Sequence, residues 1–327
     1  MSQNSVSEQL KGLEKTIISE YGNTAGIVVL KNGGKVYENY FNTCSAHSHI
    51  HVCSVTKSII SLLIGIAIDK GFIEGTGQKV LDFFPEYTVG DQEDTVRDVT
   101  LENLLTMTAP YKMEEEPYME YFTSSDYVRF SLDSLGGQEK AGKFRYAALI
   151  GPDILSGILV RATGRSVTDF GAEYLFSPLG IAAPEKVIFQ SAEEQMAFST
   201  ATDRNVWAAD PNGVNTAGWG LAMTAGDMAK IGQMCLDGGR WNGRQILSEK
   251  WISESVKEHS RWEEMGLSYG FLWWIDEDGF AAMGDGGNVI YSNIRKNMVV
   301  SITALPMPEA ADRIDFIKQH IEPIFGD

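Results

Sequence analysis

The stretch His51-Val52-Cys53-Ser54-Val55-Thr56-Lys57-Ser58-Ile59-Ile60-Ser61-Leu62-Leu63-Ile64-Gly65-Ile66-Ala67-Ile68-Asp69-Lys70-Gly71 decides how the rest of the chain is read. From Ser58 to Ile68 nearly every side chain is apolar or small, which predicts a helix buried on all sides. Gly71 stands at the expected stop and Ser54 at the expected start. Ser54 and Lys57 are three apart, so at helical spacing they share one face of the first turn. A hydroxyl and an amine then lie side by side at the mouth of an apolar helix, as a nucleophile and its base require. The same residues admit a simpler reading. Ser54 can serve as an N-cap, and Lys57 as a solvated charge, although a cation sits poorly at the positive end of a helix dipole.

The chain around this stretch is long enough, at 327 residues, for one large or two medium units. Hydrophobic residues at 43% and aromatics at 10% describe an ordinary globular protein. The apolar run Ile59 to Ile68 is too short for a membrane span and is flanked by Lys57, Asp69 and Lys70. The start, Met1-Ser2-Gln3-Asn4-Ser5, lacks the basic and apolar parts of a signal peptide, so cytoplasmic residence is expected. Cys44, Cys53 and Cys235 form neither a metal-type spacing nor a disulfide framework. The net charge of −17 argues against a nucleic acid or an anionic membrane as partner. Glu114-Glu115-Glu116 reads as a solvated loop. No cofactor is implied, and the oligomeric state is open.

Taken in order, residues 6–21 carry Leu10, Leu13, Ile17 and Ile18 at helical spacing. Two strand patterns, Gly26 to Lys31 and Lys35 to Tyr40, flank Asn32-Gly33-Gly34, a hairpin signal. His47, His49 and His51 alternate, which on an extended segment puts three imidazoles on one face. No carboxylate is placed to complete a metal site there, and the three are read as lining the way to Ser54. Thr100 to Met107 reads as a capped short helix, and residues 110–145 as polar loops and short helices. Helices are expected from Pro152 to Ala162, closed by Gly164, from Ser166 to Phe176, and from Ala225 to Leu236 after Thr224. Strands follow at Tyr269 to Ile275, Phe280 to Met283, Asn288 to Ile294 and Met298 to Thr303, with Gly284-Asp285-Gly286-Gly287 as a tight turn. A helix from Glu309 to Phe325 ends the chain. Strands at both ends with helices between predict an α/β (α+β) fold, an antiparallel sheet built from both termini with an inserted helical lobe.

In this order the pieces resemble the penicillin-recognising serine hydrolases, and most closely their class C β-lactamase-like branch, which holds β-lactamases, D-alanyl-D-alanine peptidases, esterases and 6-aminohexanoate-dimer-type amidases. Ser54-Val55-Thr56-Lys57-Ser58 is similar to the first motif of that family. Val99 to Thr108 resembles its Leu-Leu-Thr-His-Thr segment, with Met107 in place of His. Phe144-Arg145-Tyr146 is similar to the approach to its Tyr-x-Asn motif. Trp219 to Lys230, Tyr269 to Trp274 and Met283 to Gly287 resemble its remaining segments. The resemblance implies one catalytic unit over residues 6–327, with an α/β lobe of 6–70 plus 215–327 and a helical lobe of 71–214. Two departures stand out. Ala148 replaces the second-motif Asn, and Ala282-Met283-Gly284 stands where many members carry Lys- or His-Thr-Gly.

The resemblance also implies roles. Ser54 is the acylated nucleophile, Lys57 takes or shares its proton, and Tyr146 partners Lys57 in the relay. On its own residues Tyr146 reads first as a half-buried aromatic with a bonded hydroxyl, and the resemblance reverses that preference. The oxyanion hole is the backbone N–H of Ser54 and of Asp285, with Gly284 and Gly286 letting the backbone approach a substrate closely. Trp219 is expected to bind substrate, and Trp273 either lines the cleft or belongs to the core. The expected activity is hydrolysis of small esters or amides, with weak or no β-lactamase action. A non-catalytic binding module and an acyltransferase on the same acyl-enzyme chemistry are the alternatives. Arg295 or Lys296 can replace the lost carboxylate anchor only if the fold brings them to the cleft.

Overall fold

The fold is described from a computed structural model covering residues 3–90 and 94–326; position 327 of the expected unit lies outside the described residues. An antiparallel sheet of eight strands takes two strands from the front of the chain and six from the back. Its order is Gly34–Tyr40 (β2), Thr24–Lys31 (β1), Met298–Ala304, Asn288–Asn293, Gly279–Gly284, Trp274–Ile275, Leu267–Tyr269 and Ser260–Trp262. The pairing that joins the two termini sets Val28 against Ser301 and Val29 against Val300. Asn32 and Gly33 turn the β1–β2 hairpin, both at positive φ, as a tight two-residue turn demands.

Alternation along these strands sorts the core into two layers. Ile27, Val29, Met298, Val300 and Ile302 pack with Leu13 and Ile17 of the first helix, Gln3–Glu20 (α1), and with Phe316, Ile317 and Ile321 near the end of the chain. Val28, Leu30 and Val299 face the other way, toward the larger cluster that contains the helix Val55–Asp69 (α2). Because side chains alternate at a period of two, a one-residue slip would exchange the layers.

Helix α2 is buried from Val55 to Ala67, as its all-round apolar surface requires. Each fully buried Ile or Leu contributes roughly 1.5–3 kcal/mol, so the start of α2 is held on a rigid element. Gly71, at φ +77, ends it. Gly65 has no room for a side chain: a Cβ there would stand 2.4 Å from the Trp251 ring.

The expected helices at 100–107, 152–162, 166–176 and 225–236 are present, the third ending in a wider turn over Ala172–Phe176. Three expectations need correction. The strand expected from Tyr269 to Ile275 is cut by a turn in which the Gly270 N–H donates to the Trp273 carbonyl at 2.8 Å and Leu272 takes φ +61. The turn gives the Phe271 N–H to the Ser255 carbonyl at 2.9 Å, and a Cβ on Gly270 would stand 2.1 Å from that oxygen. The last helix begins at Arg313, capped by Asp312, so residues 306–312 stay outside helix and strand, turning at Pro308 and Glu309, the latter at φ +51. The three histidines do not share an extended face: His47 sits in a turn closed by the Ser48 N–H and the Ser45 carbonyl. Only His51 lies in a strand, Ile50–His51, paired with Ala222–Met223. Among the described residues no cluster of His, Cys, Asp and Glu could hold a metal ion, and no helix is long and apolar enough to cross a membrane.

Candidate active site

Ser54 stands immediately before α2, and its side chain makes no capping bond. The hydroxyl is therefore not consumed by the helix end. Lys57, one turn on, is 1% exposed, and its Nζ donates to Ser54 Oγ at 2.7 Å and to the Gly218 carbonyl at 3.0 Å. Ser54 Oγ also lies 3.4 Å from that carbonyl. No carboxylate pairs with the amine among the described residues. A buried ammonium without a counter-charge is costly, so the simpler reading of Lys57 as a solvated charge is excluded.

Tyr146 approaches from the segment that precedes the helix Pro152–Thr163. The Lys57 Nζ lies 5.2 Å from the centre of its ring, and no hydrogen bond joins its hydroxyl to Lys57 or Ser54 among the described residues. The ring sits in an aromatic cage, stacked on Trp262 at 6.3 Å and flanked by Trp274 at 5.6 Å and Tyr269 at 6.4 Å. Its neighbours in sequence are pinned. The Arg145 N–H donates to the Met107 carbonyl at 2.7 Å, and the Ala147 N–H faces the Met107 sulfur at 3.4 Å. Met107 is held at φ +55, so the residue in place of the family's His braces the tyrosine from beneath.

Glu116 corrects the reading of the triple-Glu run as solvated. Its carboxylate accepts the N–H groups of Ala148, Leu149 at 2.9 Å and Ile150 at 3.0 Å. Arg145 closes the clamp from the other side, donating to the carbonyls of Tyr111, Met113 and Glu114.

On the sheet side, Gly284 presses on the backbone before α2. A Cβ there would stand 2.2 Å from the Val52 carbonyl oxygen and 3.1 Å from the Ser54 nitrogen. This contact sets Gly284, the residue before Asp285, against the backbone of Ser54. Neither the Ser54 nor the Asp285 N–H donates to another group of the protein among the described residues. Gly284 and Gly286 line a cavity of about 670 Å³ that adjoins the site at Cys53 and Asp285 and is also lined by Glu309 and Asp312; Ser54, Lys57 and Tyr146 are not among its lining residues. Burial, and then the nearby Asp285 carboxylate, push the Cys53 thiol up to about 12, so it stays a thiol beside the serine. Burial first, then the charges of Glu116 and Asp285, raise the Tyr118 hydroxyl above the usual phenol range.

The remaining expected site residues fall elsewhere. Trp219 is 8% exposed and packs among His51, Phe122 and Phe189, its ring N–H donating to the Tyr121 hydroxyl at 3.2 Å. Trp273, 1% exposed, is a core residue against Phe280. Ala282 is fully buried in the cluster of α2. Arg295 pairs with Asp278 and Lys296 with Glu322, so neither stands in the cavity wall.

Three features escaped the sequence reading: the Gly218 carbonyl, the Glu116 clamp and Asp153. Asp153 is a buried carboxylate that accepts the Ala217 N–H at 2.7 Å and the Tyr121 hydroxyl. Only Asp153 carried a signal, as a lone acid in an otherwise apolar run.

Known proteins share this architecture. A 6-aminohexanoate-dimer hydrolase from Paenarthrobacter ureafaciens is 23% identical over 313 residues, covering 88% of this chain and 74% of that protein. The solved structure of EstCE1, described as a hydrolase with promiscuous acyltransferase activity, superposes with a TM-score of 0.72 at 17% identity over 99% of both chains. A penicillin-binding protein homologue from Caulobacter crescentus does so at 0.69 and 17% identity over 92% of both chains. The family model described as Beta-lactamase matches residues 15–320, nearly the whole chain, and the chain belongs to the Beta-lactamase family of hydrolases.

Proposed function

We propose that the chain is a serine hydrolase that forms an acyl-enzyme on Ser54 and acts on small esters or amides. The observation that carries this reading is the buried Lys57 amine, 2.7 Å from Ser54 Oγ and without a counter-charge. In the proposed step the Ser54 oxygen bonds to the substrate carbonyl carbon, and its proton passes to the Lys57–Tyr146 pair. The carbonyl electrons move to oxygen, where the Ser54 and Asp285 N–H groups stabilise the oxyanion. Collapse breaks the bond to the alcohol or amine, which leaves with the relayed proton. Water then enters by the reverse sequence and frees Ser54. The test is a fluorophosphonate: a single adduct is expected on the peptide containing Ser54 and none in Ser54→Ala. An adduct of equal yield in that variant refutes the assignment.

The same reading disfavours substrates that need a carboxylate anchor, β-lactams among them. Ala282 and Ala148 provide no polar group, and Asp285, Glu309 and Asp312 line the cavity. The guanidinium there, Arg313, is directed to Asn23 at 2.6 Å and lies over Tyr21. A hydrogen bond to a charged group contributes about 1.5–3 kcal/mol, one to two powers of ten in binding. Nitrocefin is therefore expected to turn over with a kcat/KM at least tenfold below that of short-chain p-nitrophenyl esters on one preparation. A value equal to or above the esters overturns this specificity.

A further inference from the structure

The segment Ala217–Leu221 carries the carbonyl that receives Lys57, and the structure shows what holds it. The imidazole of His51 is enclosed by Phe198 at 4.9 Å and the edge of Trp219 at 5.9 Å. Its Nε2 receives the Gly220 N–H at 3.0 Å. A backbone N–H can only donate, so Nε2 carries the lone pair and the ring proton sits on Nδ1, which faces the Cys53 sulfur at 3.8 Å. Burial brings the imidazole down to about 4, which keeps that lone pair free at neutral pH.

Two more bonds join the segment to the flanks of Ser54. The Leu221 N–H reaches Thr56 Oγ1 at 3.4 Å, and the Leu221 carbonyl accepts the Val52 N–H at 2.9 Å. From the opposite side the Asp153 carboxylate holds the Ala217 N–H at 2.7 Å. Between these holds there is little slack. Gly220 sits at φ +95, and a Cβ on Gly218 would stand 2.6 Å from the Ala148 carbonyl oxygen, two residues past Tyr146. Removing the acceptor on Gly220 leaves a buried donor unpaired, which the segment can relieve only by moving. Such movement takes the Gly218 carbonyl off the Lys57 amine, and misplacement by about 1 Å of a group in an acyl-transfer site costs on the order of a hundredfold.

We propose that His51 is a positioning residue: by accepting the Gly220 N–H it sets the Gly218 carbonyl, and through it the Lys57 amine against Ser54. The inference rests on the serine-hydrolase reading above. It assigns a task to a histidine next to the nucleophile that takes no proton and touches no substrate.

The experiment measures Ser54 labelling by a fluorophosphonate under single-turnover conditions, separating maximal rate from half-saturating concentration, with thermal unfolding on each protein. His51→Phe removes the acceptor and keeps a ring; His51→Leu does so with less volume, should the larger ring overfill the site. His51→Gln returns an acceptor near the Nε2 position. The acceptor-free variants are expected to lose ten- to a hundredfold in maximal rate with half-saturation unchanged, and His51→Gln to recover to within about threefold of wild type. In the Lys57→Ala background His51→Phe is expected to lose less than threefold more, because groups acting as a unit are non-additive. Wild-type rates in His51→Phe or His51→Leu overturn the proposal, as does an equal loss in His51→Gln. The same fold-loss with and without Lys57 overturns it too, by showing general damage. A wild type that takes no label at Ser54 overturns the hydrolase reading itself, and this inference with it.

Discussion

In the proposed relay a single proton passes among Ser54, Lys57 and Tyr146. The amine touches the serine oxygen directly, while the phenol meets it through its ring face at 5.2 Å. A substrate in the cleft can bring the Tyr146 hydroxyl into the chain of donors, since catalytic hydrogen bonds tighten in the loaded state. If the two act as a unit, Lys57→Ala and Tyr146→Phe each lower acylation by several powers of ten and the double variant lowers it little further. Losses that multiply in full would give them separate tasks. The measurement is the acylation rate of all four proteins with one activated ester.

At the scale of elements, the tyrosine belongs to no helix or strand, and its placement depends on a clamp between two loops. Glu116 takes three successive N–H groups and Arg145 three carbonyls, so the segment 145–150 is bonded on both edges to residues 111–116. A hydrogen bond to a charged group is worth about 1.5–3 kcal/mol. Glu116→Ala, which strips all three, is expected to lower kcat at least tenfold by freeing Tyr146, with Glu116→Gln falling between the two. An unchanged kcat in Glu116→Ala, measured with p-nitrophenyl acetate, would show that the aromatic cage alone fixes the ring. Helix α2 needs no such device, because thirteen buried residues in succession hold its first turn.

Across the whole molecule acidic groups dominate, 44 against 27 basic ones, and one of them joins distant parts of the fold. Burial pushes the Asp153 carboxyl up to about 6, against the pull of the Ala217 N–H and the Tyr121 hydroxyl. The unfolded chain returns it to the ordinary carboxylate range near 4. The folded state therefore holds the proton more tightly. The associated stability is fully present below about 4 and is lost as pH rises through about 6. Two units correspond to about 3 kcal/mol. Chemical denaturation of wild type and Asp153→Asn between pH 4 and 7.5 is expected to show the stability difference moving in favour of the variant as pH rises. A difference that stays flat would mean that folding leaves the proton affinity of this acid unchanged.

What the amino-acid order determined by itself is whatever depends on local pattern. The helix from Ser54 to Gly71, the hairpin at Asn32-Gly33 and the caps at Thr100 and Thr224 follow from periodicity and turn chemistry acting over a few residues. The pairing of Ser54 with Lys57 was legible for the same reason, since helical spacing brings them together whatever surrounds them. Tertiary structure decided the rest. The Gly218 carbonyl stands 161 residues from the amine that it receives, and a backbone oxygen has no letter in the sequence to mark it. Glu116 looked solvated because its three N–H partners lie more than thirty residues away. The strand expected through Gly270 breaks beside a carbonyl supplied by Ser255, and the last helix starts late, leaving the irregular run 306–312 to wall the cavity. Local propensity acts over one turn or one strand. The polar groups that finish this site are satisfied across the fold, and only the packed chain brings them within reach.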